Sequence, residues 1–105
     1  MAYTVVFAPE AQAQLLEIYR YIADAASPEV AASFTESIVN YCEGLETFPL
    51  RGTGRDDIRP GLRITGFRRR VTIAYTVDEA SVIILGVFYG RRDYEAALQV
   101  DDQQE

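Results

Sequence analysis

Lysine and histidine are absent from this 105-residue chain, and cysteine occurs once. Without them, no common side chain titrates near neutral pH unless strongly shifted, so general acid–base catalysis lacks its usual carriers. No Cys/His set with metal-ligand spacing, no Ser/His pair and no glycine-rich phosphate loop occurs. The expectation is a protein with no catalytic residues, no metal and no cofactor. Cys42 stands alone in an apolar helical pattern, which excludes an internal disulfide and reads as a buried, inert thiol. No apolar run approaches the ~20 residues that span a bilayer, and no basic start followed by an apolar block marks a signal peptide. A cytoplasmic protein without membrane contact is expected. Neither a repeat nor a linker divides the chain, so residues 1–105 read as one domain.

What is present is unevenly placed. Hydrophobic residues make up 49% of the chain, enough for a packed core. The formal net charge of −6 argues against indiscriminate binding to nucleic acid, so no direct contact with free DNA is expected. All ten basic residues are arginine. Residues 1–50 hold seven acids and only Arg20, residues 51–92 hold nine arginines against four acids, and the last thirteen residues hold five acids and no base. The positive middle is hidden by the acidic total.

The pattern predicts an α+β fold. Residues 3–7 alternate as a first strand, with Tyr3, Val5 and Phe7 on one face. Pro9 and Glu10 suit the first turn of a helix whose stripe is Ala11, Leu15, Ile18 and Ile22. Ser27 and Pro28 restart a second helix with Val30, Phe34, Ile38, Tyr41, Leu45 and Phe48 on one face, stopped by Pro49. The two form an αα-hairpin whose apolar face needs a sheet. Residues 50–61 read as a loop with three glycines and five charges. Three antiparallel strands follow, around residues 62–65, 71–77 and 82–88, giving a four-stranded sheet with the helices on one face. Asp93 caps a short helical turn ending near Leu98, and residues 99–105 read as a frayed tail.

Strand parity turns this into a surface. Val71, Ile73, Tyr75 and Val77 are large and apolar, so this face should pack on the helices. Arg68, Arg70 and Thr72 then fall on the other face. If Leu62 and Ile64 point to the core, Arg63 and Thr65 join those arginines. Arg91 and Arg92 arrive at the same end from the last strand, with Phe67 and Tyr89 at the edge. Arginine at every basic position suits planar, bidentate recognition, although a solvated face paired with Asp56, Asp57 or Asp93 is equally consistent with the pattern. Residues 82–88 are apolar on both faces. Either residues 3–7 and the C-terminal turn cover the second face, or it is left for a partner.

The order of elements and the pieces that carry it resemble the RelE/ParE superfamily of toxins from type II toxin–antitoxin systems. The pieces are Ala11, Leu15, Glu17, Ile18, Tyr21 and Ile22; then Leu45, Phe48, Pro49 and Gly52; then Gly61, Leu62 and Arg63; then Tyr75; then Ile84, Val87, Tyr89, Gly90, Arg91, Arg92 and Asp93. The long helices and the Gly-Arg-Arg-Asp ending look more like the ParE branch. That resemblance implies a plasmid- or locus-stabilising toxin that inhibits DNA gyrase by binding it; Arg63, Arg91 and Arg92 match the family's recurrent basic positions, and Arg68 and Arg70, placed beside them by strand parity, join the expected contact with Tyr75 and Tyr89. It implies a ParD-like, ribbon-helix-helix antitoxin in a hetero-oligomer, seated on Val82, Ile84 and Phe88. The RelE branch implies instead a ribosome-dependent mRNA endonuclease with Tyr75 or Tyr89 as proton carrier. A third possibility is an inactive module that binds antitoxin. Tyr89 stands where relatives often have histidine, and the acidic total departs from the usual basic toxin.

Overall fold

In the computed structural model, residues 3–90 and 94–98 are described. The chain runs β1 (Thr4–Phe7), α1 (Pro9–Ala25), α2 (Pro28–Glu43), β2 (Thr53–Gly54), β3 (Arg63–Phe67), β4 (Val71–Val77), β5 (Ser81–Tyr89) and α3 (Tyr94–Leu98). The sheet has five strands rather than the four expected, in the order β1-β5-β4-β3-β2. The extra strand is the pair Thr53 and Gly54, laid antiparallel to Ile64 and Arg63 inside the expected loop. β1 pairs parallel to β5, whereas β3, β4 and β5 form the expected antiparallel meander.

Both long helices begin as their sequences dictate. Pro9 opens α1 and Pro28 opens α2, each at a position whose N–H has no intrahelical acceptor. The Ser27 hydroxyl accepts from the Val30 N–H at 3.1 Å, satisfying one of the unpaired donors of the first turn of α2. α2 ends earlier than expected, at Glu43, and tightens into a 3-10 turn over Gly44–Glu46. Its buried face is also turned from the expected one. Ala31, Ile38, Cys42 and Leu45 are buried, whereas Val30 and Phe48 are half or more exposed. The small residues Ala31 and Cys42 let α2 lie close to its neighbours, and the larger Val30 and Phe48 flank the contact.

The helices and the sheet enclose the main core: Ala11, Ile18, Ile22, Ala31, Ile38, Cys42 and Leu45 meet Val71, Ile73, Tyr75, Val82, Ile84 and Val87. Burying each large aliphatic side chain here contributes about 1.5–3 kcal/mol. Tyr3, Val5 and Phe7 pack against this core, so β1 has the expected parity. β4 does too, with Val71, Ile73, Tyr75 and Val77 on the helix side.

The helix-free face is not bare. A second core of Ile58, Leu62, Ala74, Phe88 and Leu98 covers it, with Ile64, Leu85 and Tyr94 half-buried around it. Loop residue Ile58 and α3 thus supply a lid for the back of the sheet. The hydrogen bonds that hold this lid converge on Arg55. Its guanidinium donates to both Asp57 carboxylate oxygens at 2.9 Å, to Glu95 of α3 at 3.1 Å and to the Tyr94 hydroxyl at 3.3 Å.

Two consequences correct the expected geometry. Leu62, just before β3, and Ile64 within it point into the second core, so Arg63, Thr65 and Phe67 lie on the helix side. The ladder enforces this, because Arg63, Thr65 and Phe67 sit opposite Tyr75, Ile73 and Val71, and opposed residues share a face. In β5, Ala74 pairs with Gly86 and Tyr75 with Ile84, which leaves Leu85 as a bulge. The bulge shifts the alternation by one residue. Val82 and Ile84 before it, and Val87 and Tyr89 after it, therefore face the helices, while Phe88 faces the second core. Val82 and Ile84 are fully buried and Phe88 nearly so, so none of the three is a surface for a partner in this fold.

Candidate functional site

Arginines of the described residues differ in what their guanidinium groups do. Arg55 is bound by its own acids, as described above. Arg63 donates to three backbone carbonyls: Leu50 at 2.7 Å, Gly52 at 3.2 Å and Arg51 at 3.4 Å. It organises the chain entering β2. The Tyr75 hydroxyl donates to the Arg51 carbonyl as well. Tyr75 is 0% exposed, and burial pushes its hydroxyl above the ordinary tyrosine range despite the opposing pull of Arg63. Arg51 itself lies over the rings of Tyr41 and Phe48, at 5.5 and 5.6 Å. The Tyr41 hydroxyl in turn is 2.9 Å from that of Thr65. This end of the sheet is a knot of internal contacts.

Gly52 sits inside the knot with φ +85°, and a Cβ there would run into the Ile64 backbone carbonyl. Both features require glycine.

The other end of β3 is different. Arg68, Arg69 and Arg70 form the connection to β4, all three exposed. Among the described residues none of them makes an ion pair; only Arg55 does. The turn closes with the Arg70 N–H donating to the Phe67 carbonyl at 3.2 Å. Its two central residues, Arg68 and Arg69, have φ +54° and +61°. These are the φ signs of a type I′ turn, which fits the twist of the flanking strands and favours Asn-Gly. With a Cβ at each position the left-handed conformation costs roughly 1–2 kcal/mol per residue. Two arginines therefore stand where glycine would fold more easily.

The surroundings of this turn are aromatic. Arg68 lies over the Phe67 ring at 5.0 Å, and its side chain borders a shallow depression with Glu29, Val30 and Phe34 of α2. Tyr89 ends β5 beside it, opposite Val71, with its ring against Phe34 at 5.8 Å and Tyr21 at 5.9 Å. Tyr21 is 61% exposed. The Gly90 N–H donates to the Arg70 carbonyl at 2.8 Å, which brings the end of β5 against the turn. The next residues in the sequence are Arg91 and Arg92; they and the expected cap Asp93 lie outside the described residues.

The expected arginine face is therefore split. Arg68, Arg70 and Tyr89 come together at one end of the sheet. Arg63 and Tyr75 sit at the other, five residues of strand or roughly 16 Å away, turned inward and committed to the fold. Sequence reasoning omitted Arg69, which the turn exposes as fully as its neighbours, and Tyr21, which completes the aromatic rim. The run Arg68-Arg69-Arg70 was the available signal for Arg69, because strand parity does not apply within a turn. Chemically, the exposed set can bind anions and stack on planar groups. Among the described residues no cluster of acids and thiols could hold a metal ion.

A family model described as the ParE toxin of the type II toxin–antitoxin system parDE matches residues 5–94. No curated protein matches the chain. Among solved structures, a chain from the chromosomal ParDE toxin–antitoxin system of P. aeruginosa is similar in fold. It is 23% identical with a TM-score of 0.75, over 86% of this chain and 98% of the other.

Proposed function

The chain belongs to the ParE toxin family of type II toxin–antitoxin systems, and on that footing we propose that it arrests growth by binding DNA gyrase and is neutralised by a cognate ParD-like antitoxin. The toxin would act in the cytoplasm and rest in a hetero-oligomer with the antitoxin until released. The observation that carries the reading is the arginine turn. Arg68, Arg69 and Arg70 are exposed and free of ion pairs among the described residues, and the first two are held in a backbone that disfavours them. Strain of this kind persists where a function requires the residue. Guanidinium groups so placed suit carboxylates of a protein or phosphates of its bound DNA, by two parallel hydrogen bonds each. Arg91 and Arg92 follow directly in sequence and join the proposed contact.

Binding rather than chemistry fits the inventory. The chain has no histidine or lysine. Of the two tyrosines proposed as proton carriers, Tyr75 is buried with its hydroxyl engaged and pushed upward in pKa. A ribosome-dependent nuclease would have to work without it.

Induced expression of the wild-type chain and of a variant with Arg68, Arg69 and Arg70 all changed to alanine tests the reading. The expected result is growth arrest with filamentation and a DNA-damage response for the wild type, and normal growth for the variant. Purified toxin should inhibit supercoiling by gyrase in the same rank order. Codon-specific mRNA cleavage without DNA damage would replace gyrase with the ribosome as target. A wild type that leaves growth untouched would reduce the protein to an antitoxin-binding module.

A further inference from the structure

β1 accompanies β5 only from Ser81 to Ile84. The last tie is the Ala8 N–H to the Ile84 carbonyl at 2.9 Å, after which Pro9 turns the chain into α1. β5 continues to Tyr89, and β1 is the outermost strand on that side. Among the described residues, 85–89 thus have no strand neighbour along their outer edge. The Val87 N–H points out along this edge, since its acceptor is the side-chain oxygen of Gln14 on α1, at 2.7 Å. Tyr89, two residues on, turns its own N–H and C=O to the same side, while Gly90 turns inward to Arg70. Unpaired strand backbone is a template for another strand. Here it is stopped at one point by a side chain that imitates a strand carbonyl.

The edge opens into a cleft of about 260 Å³ walled by Glu17 and Tyr21 of α1 and by Val87 and Tyr89. Glu17 lies between Glu10 and Asp24 in a line of exposed carboxylates spaced seven residues apart on α1, none in an ion pair among the described residues. Two aromatic rings and a carboxylate around one opening favour a cationic side chain.

We infer that the outer edge of β5 over residues 85–89 is a strand-addition site for an extended segment of a protein partner, one that places an arginine or lysine against Glu17 and the Tyr21–Tyr89 rings. The segment displaces Gln14 from the Val87 N–H and pairs with Val87 and Tyr89, so main-chain hydrogen bonds give affinity and the cleft gives selectivity. The site adjoins the arginine turn but does not depend on what that turn binds.

A display library of random peptides, selected on the immobilised full-length protein, tests this. Enriched peptides should alternate β-branched residues with an arginine or lysine and should slow amide exchange at Val87 and Tyr89. Glu17→Arg should weaken them by about tenfold, N-methylation of the peptide amide that faces the edge should abolish binding, and Gln14→Ala should tighten it. Glu17 and Gln14 lie outside the buried core, and the far-UV spectrum of each variant verifies its fold. Failure of the selection to enrich such peptides overturns the inference. So do peptides indifferent to Glu17→Arg and to N-methylation, or exchange slowed elsewhere and not at Val87 and Tyr89. Growth arrest by the toxin can persist through every one of these negative results, so the gyrase reading stands or falls separately.

Discussion

Arg63 and Tyr75 face each other across the β3–β4 ladder and donate to the same acceptor, the carbonyl of Arg51. A basic residue and a tyrosine so close together resemble a catalytic pair in the sequence, but in the fold they close a loop. Tyr75→Phe should cost about 1–2 kcal/mol in urea unfolding, the usual worth of a buried hydrogen bond whose acceptor keeps other partners. Arg63→Ala should cost about 2 kcal/mol, because three carbonyls lose a charged donor. In both variants the activity per folded molecule should be that of the wild type. Loss of toxicity by Tyr75→Phe at unchanged stability would return Tyr75 to the active surface.

Arg68 and Arg69 should behave in the opposite way. Replacing either with glycine removes the steric cost of the left-handed backbone, partly offset by the entropy of glycine in the unfolded chain. A gain of about 0.5–1 kcal/mol per substitution is expected from thermal or urea unfolding. Growth inhibition should fall in the same variants. A variant that is more stable yet less toxic separates the two roles of the turn; glycine variants that are destabilised would refute the account of strain.

Gly52→Ala is expected to be among the most damaging small substitutions. It adds the positive-φ penalty to a collision with the Ile64 carbonyl, which belongs to a paired strand and has little room to move. A loss of about 2–4 kcal/mol follows if β2 separates from β3. Amide exchange should quicken first at Thr53 and Ile64.

Burial pushes the Cys42 thiol up to about 12, with the neighbouring Glu43 adding to the effect. The neutral thiol is thus favoured in the folded state. The contribution to stability is complete below the unfolded value of 9.0 and is lost as pH rises from there toward about 12. Unfolding free energy measured across that alkaline window should slope downward in the wild type and less so in Cys42→Ala. Alkylation of the thiol by iodoacetamide should proceed only at the rate of global unfolding.

Much of this architecture was legible in the residues. Pro9, Ser27 and Pro28 mark where helices begin, and Val71, Ile73, Tyr75 and Val77 announce which side of β4 meets them. β3 is harder to read, because its apolar residues give no sign of which of two cores they serve. Leu62 and Ile64 are apolar because they serve the second core beneath Ile58 and Leu98, yet their side chains look the same as those of a strand facing the helices. Alternation carries no information where every residue is apolar, so the bulge at Leu85 was hidden in residues 82–88. Gly86, an isolated glycine within a strand pattern, was the one local sign of it. A Cβ there would lie 2.6 Å from the Phe88 ring. The site suffered in the same way. Parity assigned Arg63 to the wrong face, and a turn, where parity has no meaning, took Arg68, Arg69 and Arg70.

The parallel pairing of β1 with β5 has a bearing on how the protein is made. Thr4 must find Ser81, and Phe7 must find Ile84, across most of the length of the chain. Contacts so distant in sequence form late and slowly. During synthesis β1 has no companion until residues 81–84 have been made, and the helical hairpin waits with its apolar side uncovered. A nascent chain cut short before residue 81 cannot close its sheet, so premature termination yields a fragment without the fold that presents the arginine turn.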